Sequence, residues 1–375
     1  MYAARPPAEP GMPLEDVDTP ALIVDLDLFE ANLAKMADEA RRGGIRLRPH
    51  GKTHKCAVIG QRQMALGAVG QCVQKVSEAE ALVDGGIPDV LVCNEIVGQT
   101  KLRRLASLAR RARIGVCADN AANVEELSVG AQTFGVELRV LVEIDAGVGR
   151  CGIEPGERAA QLAKLIDELP GLTFGGLQAY HGGAQHLRTL GERQAAIDGI
   201  VDKVNATRAA LQRVGLPCPD VTGGGTGTYR LEMASGVYTE LQCGSYIFMD
   251  ADYGRNRDEA GDPYRRFAQS LFVYASIMSR PARNRAIVDA GLKAISIDSG
   301  APLVHDQPDL EYIFKGDEHG QIRLPETGHS LSIGDKILLV PGHCDPTVNM
   351  HDHFVGVRGG WVESVWPITG RGPGR

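Results

Sequence analysis

The sequence predicts an α/β fold in which a (β/α)8 barrel of the TIM type is followed by a second, mostly β domain. Two observations carry this prediction. Strand-like runs alternate with helical stretches eight times in the first part of the chain, and beyond about residue 266 short strand-like runs follow one another with few helical stretches. An open, doubly wound sheet is the alternative, but the early glycine-rich turn of a dinucleotide fold is missing.

The predicted barrel spans residues 28–266. Its eight strands are expected at residues 45–50, 69–76, 90–94, 114–118, 138–144, 174–180, 220–223 and 240–249. The segments between them carry apolar residues at helical spacing, as at residues 28–41, 101–110, 123–134, 157–169 and 192–214. Strands that alternate with helices pair in parallel, and eight such units are what a closed barrel requires.

The predicted β-rich domain consists of residues 1–27 and 267–375. Its strand-like runs lie at residues 270–278, 285–289, 312–314, 336–340, 354–358 and 361–366. Residues 358–361 (Arg-Gly-Gly-Trp) are typical of a tight hairpin turn. A strand at residues 21–25 is expected to join one of the two domains.

Composition excludes several classes of function. The net charge of the 375 residues is −7 and the basic residues are dispersed, so no nucleic-acid partner is expected. No apolar run has the length of a membrane span, and the first twenty residues lack the pattern of a secretory signal. The eight cysteines are scattered without a C-x-x-C pair, which is typical of a cytoplasmic protein with reduced thiols.

Lys52 is the first candidate functional residue, because it follows the first predicted barrel strand. A lysine at this position can hold an aldehyde cofactor covalently, provided that its amine is neutral part of the time. The neighbouring Arg48, His50, His54 and Lys55 should favour the neutral amine by repelling its positive charge. The alternative is a solvated basic loop.

Consecutive glycines follow the seventh predicted strand, in the segment 221–227 (Val-Thr-Gly-Gly-Gly-Thr-Gly). Backbone N–H groups in such a turn can converge on an anion, and barrels often bind phosphate after strands seven and eight. Gly224, Gly225 and Thr226 are therefore candidate phosphate ligands. Ser245 and Tyr246, on the predicted eighth strand, are further donors. A flexible turn is the alternative.

Two more strand ends carry polar candidates. Arg150 follows the fifth strand, where it could contact a carboxylate or a ring nitrogen of a ligand, or could pair with Glu143 or Asp145. Residues 178–186, after the sixth strand, include a tyrosine and two histidines. These side chains could transfer protons near neutral pH or make structural hydrogen bonds.

His343 and Asp345 are candidate metal ligands in the β-rich domain. In an extended segment alternate residues face the same way, so the two side chains are expected to point together. One imidazole and one carboxylate suit a hard divalent ion such as Mg²⁺ or Mn²⁺. Residues 351–353 (His-Asp-His), at the start of the next predicted strand, are a competing metal site.

Together these motifs resemble those of the fold-type III pyridoxal-phosphate enzymes. The resemblance is to the D-threonine aldolase and 3-hydroxy-D-aspartate aldolase family, which is related to the D-serine dehydratases and, more distantly, to the alanine racemases. It extends over nearly the whole chain and rests on residues 19–21, 48–52, 74–79, 149–152, 178–182, 223–227, 241–250 and 341–347.

The resemblance implies a role for each candidate residue. Lys52 would bind pyridoxal phosphate covalently, Arg150 would contact its pyridine nitrogen, and His186 would act on the substrate. His343 and Asp345 would bind the divalent metal. The remaining cofactor contacts would come from Gln178, Tyr180, Gly224, Gly225, Thr226, Ser245 and Tyr246. Proteins of this family are usually homodimers, with sites near the subunit interface.

The implied activity is cleavage of a β-hydroxy-D-amino acid, D-threonine-like or 3-hydroxy-D-aspartate, to glycine and an aldehyde. A dehydratase of D-serine or D-threo-3-hydroxyaspartate on the same scaffold is the alternative. In that branch the metal pair looks like His-x-Cys, whereas Asp345 takes the second place here. Two further alternatives are a non-catalytic pyridoxal-phosphate carrier, which would lack the β domain, and a metal-dependent barrel hydrolase, which would need no Lys52 linkage.

Overall fold

The computed structural model describes residues 5–325 and 331–375. Contacts divide the chain into two compact units. The barrel unit consists of Lys35–Gly244, Arg257–Asp262 and Pro373–Arg375, and the β-rich unit consists of Met1–Ala34, Ser245–Asn256 and Pro263–Gly372. Residues 1–4 and 326–330, which the predicted β-rich domain includes, lie outside the described residues.

Strands and α-helices are numbered in chain order. The strands are β1 (Ala21–Asp25), β2 (Arg46–Leu47), β3 (Gln71–Val73), β4 (Asp89–Glu95), β5 (Arg113–Ala118), β6 (Leu138–Glu143), β7 (Leu172–Ala179), β8 (Val221–Gly223), β9 (Glu240–Leu241), β10 (Leu271–Ala282), β11 (Arg285–Val288), β12 (Leu303–Val304), β13 (Glu311–Phe314), β14 (Gly320–Arg323), β15 (Lys336–Val340), β16 (His353–Arg358) and β17 (Trp361–Pro367). The helices are α1 (Leu26–Arg42), α2 (Ala57–Ala65), α3 (Val76–Asp84), α4 (Gln99–Leu108), α5 (Ala121–Phe134), α6 (Glu157–Glu168), α7 (Leu190–Arg213), α8 (Tyr229–Ala234) and α9 (Cys344–Val348).

The barrel unit confirms the predicted (β/α)8 architecture. Its eight strands pair in parallel in the order β2-β9-β8-β7-β6-β5-β4-β3. A parallel bridge between His50 and Cys72 joins the two ends of this sheet and closes the barrel. The central strands are covered on both faces, and for that reason they are nearly continuous apolar runs. The carboxyl ends of all eight strands therefore lie at one mouth of the barrel.

The β-rich unit confirms the predicted fold class of a barrel accompanied by a mostly β domain. Its nine strands have the order β11-β14-β13-β12-β15-β10-β1-β16-β17, and an additional pairing of β10 with β11 closes six of them into a small antiparallel barrel. The N-terminal strand β1 belongs to this sheet, where it lies between β10 and β16. The predicted hairpin turn is also confirmed, because Gly359 and Gly360 have φ of 56° and 81° and connect β16 to β17.

The predicted eighth barrel strand is wrong beyond Leu241. β9 ends there, and Ser245–Ile247 forms a 3-10 helix instead. Gly244 lies so close to Thr53 that a Cβ atom at this position would stand 2.4 Å from the threonine Oγ1. The apolar residues after Ser245 are buried by packing outside the sheet. In the sequence, such a buried apolar run has the same pattern as a buried strand.

The predicted extended segment at His343 is also wrong. His343 itself is extended, with φ −145° and ψ 122°, but α9 begins directly after it. Pro346 fits the first turn of this helix, since its missing N–H would have no helical partner there. The Oγ1 of Thr347 donates a hydrogen bond of 2.8 Å to the carbonyl of His343. Asp345 consequently lies in the first turn of a helix and does not alternate with His343 along a strand.

Candidate active site

Lys52 lies at the mouth of the barrel, in the 3-10 helix Gly51–Thr53 that follows β2. The backbone N–H of Lys52 donates to Nδ1 of His50 at 3.4 Å. Burial, together with the nearby charge of Lys52, lowers the pKa of His50 well below its ordinary value, so this imidazole is neutral and can accept that bond. The first strand and its buried histidine thus fix the backbone that carries the lysine.

Of the four groups that were expected to repel Lys52, His50 is neutral, and Arg48 and Lys55 are neutralised by ion pairs. Buried Arg48 pairs with Glu240 at 2.9 Å and with Asp89 at 2.6 Å, and Lys55 pairs with Glu78 at 2.9 Å. These carboxylates come from other strands and helices, so the sequence around Lys52 could not reveal them. Repulsion by Arg48 and Lys55 therefore contributes less to a neutral Lys52 than the sequence suggests.

Arg150 lies in the loop after β6, and its side chain is half exposed. Its Nη2 is 3.8 Å from Oε1 of Glu143, and its Cζ lies 6.0 Å from the centre of the Tyr180 ring. Asp145 shapes the loop, since its Oδ1 accepts hydrogen bonds from the N–H groups of Gly147 at 2.8 Å and Gly149 at 3.3 Å. The guanidinium is thus held between an acid and an aromatic ring while part of it remains open to a ligand.

The glycine-rich turn after β8 is buried and tightly packed. A Cβ atom at Gly225 would stand 2.5 Å from the side chain of Gln185, which hydrogen bonds hold to Gly227 and Thr228, so a larger residue would have to displace it. Gly224 has φ +78°, a conformation that favours glycine. Among the described residues, no acceptor receives a hydrogen bond from the backbone N–H of Gly224 or of Gly225. Two buried donors of this kind fit an anionic group such as the phosphate of pyridoxal phosphate.

The other predicted cofactor contacts have protein neighbours of their own. In the barrel unit, the amide of Gln178 forms two hydrogen bonds with Gln242, at 3.0 and 2.8 Å. In the β-rich unit, Ser245 and Tyr246 are buried, and the Tyr246 ring packs 5.6 Å from that of Phe267. Their contacts with a cofactor stay predictions.

The two histidines after β7 differ in their surroundings. Nδ1 of His181 accepts a hydrogen bond of 3.0 Å from the N–H of Ala184, so His181 caps the 3-10 helix Gly182–His186. Burial lowers the pKa of His181. His186 ends the same helix and is exposed. A structural role is therefore evident for His181, and His186 is the more exposed of the two.

The candidate metal ligands lie in the β-rich unit among several carboxylates. Nδ1 of His343 is 2.8 Å from Oδ2 of Asp298. Burial opposes protonation of His343, but the negative charges of Asp345 and Asp298 outweigh it and raise the pKa of the imidazole. Buried Asp250 accepts a hydrogen bond from the N–H of Cys344 at 3.1 Å. Imidazole and carboxylate groups are the kinds of ligand that a hard divalent cation takes.

The sequence marks neither Asp298 nor Asp250 as a ligand: Asp298 lies in a segment without a motif, and Asp250 ends the stretch 241–250 without a pattern that points to a metal. The competing candidate at residues 351–353 is not favoured. His351 is partly buried, its Nε2 lies 2.7 Å from the carbonyl of Ala294, and desolvation lowers its pKa. This ring nitrogen is therefore already hydrogen-bonded to the backbone.

A different group of potential ligands lies inside the barrel. Among the described residues, His50, Cys72 and Cys93 place one ligand atom each within 4.8 Å of one another. All three are buried, and burial raises the pKa of the Cys93 thiol well above its ordinary value. Because metals bind the thiolate, we interpret this cluster as part of the barrel core.

Within residues 5–325 and 331–375, no helix has both the length and the apolar character needed to cross a bilayer. Residues 24–252 match the family model described as alanine racemase, N-terminal domain, and residues 270–357 match the putative serine dehydratase domain. These two matches correspond to the succession of barrel and β-rich sheet along the chain.

Proteins of known name are similar along the whole chain. A 3-hydroxy-D-aspartate aldolase of Paracoccus denitrificans is 48% identical over 98% of this chain and 96% of its own length. A D-threonine aldolase of Arthrobacter sp is also 48% identical, over 99% and 97%. The crystal structure of D-threonine aldolase from Filomicrobium marinum superposes with a TM-score of 0.95, at 51% identity over 98% of this chain and 99% of that one.

Dehydratases on this scaffold are more distant. A D-threo-3-hydroxyaspartate dehydratase of Delftia sp. (strain HT23) is 31% identical over 76% of this chain and 74% of its own length. The family and the barrel support pyridoxal phosphate as the cofactor. The chain therefore belongs to the family of the D-threonine and 3-hydroxy-D-aspartate aldolases, which share the alanine racemase barrel.

Proposed function

We propose that this chain is a pyridoxal-phosphate- and divalent-metal-dependent aldolase that cleaves β-hydroxy-D-amino acids, of the D-threonine or 3-hydroxy-D-aspartate type, to glycine and an aldehyde. The observation that carries the proposal is the 48% identity with named aldolases over nearly the entire chain. Asp345 in the second place of the metal pair supports it further, because the dehydratase branch resembles His-x-Cys at these positions.

Different residues would bind the cofactor and the metal. Lys52 would hold the cofactor covalently through Nζ, and Arg150 would donate a hydrogen bond to its ring nitrogen. The backbone N–H groups of residues 224–226 would bind the phosphate. His343 and Asp345 would hold Mn²⁺ or Mg²⁺, with Asp298 orienting the imidazole through Nδ1.

When bound, pyridoxal phosphate supplies an electron sink for the charge released at Cα, and the divalent ion supplies the positive charge that acidifies the substrate hydroxyl. His186 would accept the hydroxyl proton at a ring nitrogen, for which its exposure at the barrel mouth is suitable. Because a guanidinium is a donor that hardly ever gives up its proton in a protein, Arg150 would donate a hydrogen bond to the ring nitrogen without protonating it.

A dehydratase of D-serine or D-threo-3-hydroxyaspartate is the second candidate. The match of residues 270–357 to a serine dehydratase model favours it. The cysteine next to the predicted metal ligands argues against the dehydratase. Cys344 is fully buried, burial raises its pKa well above the ordinary value, and it lies between the two predicted ligands. A neutral, buried thiol is a poor metal ligand.

Product analysis on a small substrate panel tests the proposal. The purified protein would be freed of metal with a chelator and assayed with D-threonine, 3-hydroxy-D-aspartate, D-phenylserine and D-serine, with Mn²⁺, Mg²⁺ or Zn²⁺ added back. Glycine and an aldehyde in a metal-dependent reaction are the expected result. A keto acid and ammonia would establish the dehydratase, and full activity without metal would contradict the role of His343 and Asp345.

We also propose that the protein is a homodimer in the cytoplasm. The dimer is supported by the family resemblance, and light scattering on the holoprotein tests it. The cytoplasmic location is supported by the eight cysteines, all of which are free. Free thiols are typical of a reducing compartment.

A further inference from the structure

Two glutamates end strands on either side of β5 at the barrel mouth. Glu95 is the last residue of β4 and Glu143 is the last residue of β6. Glu143 is only 5% exposed, and its Oε1 lies 3.8 Å from Nη2 of Arg150. The arginine that would contact the cofactor ring is therefore paired with a buried acid.

The carboxyl of Glu95 faces that of Glu143. Neither oxygen of Glu95 is accessible to solvent, and among the described residues neither accepts a well-formed hydrogen bond from a donor. The thiol of Cys151 also lies close to Glu95. Two buried carboxylates repel each other, and their contact becomes favourable only when one carries a proton that it donates to the other.

The charges around the pair are mainly negative. Asp119, after β5, adds a further carboxylate, and Arg150 is the cation that faces the pair. The thiols of Cys93 and Cys117 approach from the barrel interior and are themselves buried. Burial raises the pKa of both carboxyls; the negative charge of Asp119 adds to this for Glu95, and that of Glu95 adds to it for Glu143, whose pKa rises to about 8. One proton is therefore retained at neutral pH.

We propose that Glu95 and Glu143 share a single proton and form a carboxyl pair with one negative charge, which positions Arg150 toward the ring nitrogen of the cofactor. This rests on the proposed function, because it assumes that Arg150 contacts that ring. The single charge orients the guanidinium, whereas a second charge would draw it into a tighter ion pair and away from the ring. Glu95 and Glu143 are positioning residues, since they act through Arg150.

Difference infrared spectroscopy of the holoenzyme tests the shared proton. At neutral pH the wild-type protein should show the C=O stretch of a protonated carboxyl that the double variant E95Q/E143Q lacks. In E95Q the amide replaces the protonated acid and donates to Glu143, so Glu143 should ionise and this band should disappear. D119N is the matched control, because it removes a nearby charge and keeps the pair, and it should retain the band. Absence of the band from the wild type, or its persistence in E95Q, would overturn the shared proton.

The pH dependence of the cofactor's visible absorbance tests the positioning of Arg150. Loss of the proton near the pKa of Glu143 should change the wild-type spectrum, and E95Q should lack this transition. E143Q removes the anion beside Arg150, so its dissociation constant for pyridoxal phosphate should rise about threefold to tenfold. Spectra and dissociation constants of E95Q and E143Q that match the wild type at every pH would overturn the positioning role.

The two proposals fail separately. If the cofactor were attached to a residue other than Lys52, the proposed function would fail, while the infrared band would still decide whether the proton is shared. If the band were absent from an enzyme with its cofactor on Lys52, only the carboxyl pair would be refuted.

Discussion

Nδ1 of His343 lies 2.8 Å from Oδ2 of Asp298, both within the β-rich unit. A carboxylate on one ring nitrogen fixes the orientation of an imidazole and strengthens the other nitrogen as a metal ligand. Nε2 of His343 is therefore the atom that would bind the divalent ion.

Replacing Asp298 should weaken metal binding without removing a ligand. We expect D298N to lower the affinity for Mn²⁺ by about 10–100-fold, the usual effect of losing a partner behind a ligating histidine. Titration calorimetry on the metal-free protein measures this. D317N, which changes an exposed carboxylate of the same unit, should bind the ion as the wild type does. Equal affinities for D298N and D317N would contradict the role of Asp298.

His186 should be needed for turnover and not for assembly of the site. We expect H186N to lower kcat by about 10²–10⁴-fold, because a general base contributes that much. Its visible cofactor absorbance and melting temperature should stay unchanged, since His186 is exposed. H319N, another exposed histidine, is the control. A kcat of H186N within a factor of two or so of the H319N value would remove His186 from the mechanism.

The glycine at 225 should be required for cofactor affinity. A Cβ atom there would stand 2.5 Å from Gln185, so G225A should displace the phosphate turn. We expect the dissociation constant for pyridoxal phosphate to rise roughly tenfold or more, the usual size of an overpacking effect. Absorbance titration measures it. G199A, in a part of α7 where a Cβ atom meets nothing within 4 Å, should leave it unchanged, and an equal affinity for G225A would exclude a role for the turn.

Glu232 should make stability depend on pH. Burial raises its pKa from 4.5 to about 7. The native protein therefore keeps this proton over a range in which the unfolded chain has lost it, and the wild type loses stability as pH rises from 4.5 to 7. E232Q has no proton to lose and can still accept the hydrogen bond from Thr228.

Urea unfolding midpoints at pH 5 and pH 8 check this expectation. The stability of E232Q relative to wild type should rise with pH by up to about 3 kcal/mol. E126Q, at an exposed position of α5, should follow the wild type at both pH values. A difference between E232Q and wild type that does not change with pH would show that Glu232 titrates normally.

The barrel could be predicted from the sequence because its strands are covered on both faces. Burial on both faces gives apolar runs such as β6, and helical spacing between the runs identifies the parallel topology. Short strands gave no such signal. β12 has two residues and β14 has four, and each pairs with a strand distant in sequence as well as with its neighbour β13.

The candidate site could be predicted only where a reactive or charged side chain directly follows a strand in the sequence. Lys52 and Arg150 were found because they stand next to strand ends, and their place at the barrel mouth follows from the topology. Asp298 gave no signal, since it reaches His343 through a fold that brings residues 45 positions apart together. Glu95 was missed because a single acid at a strand end is common, and only its contact with Glu143 makes it distinctive.

The central claim is that the cofactor is attached to Lys52, and borohydride reduction tests it most directly. The holoprotein would be reduced, digested and mapped by mass spectrometry, with K52A as the control. We predict a single pyridoxyl-phosphate label, on the peptide that contains Lys52, and none at any site in K52A. A label on another lysine, or none in the wild type, would contradict the account.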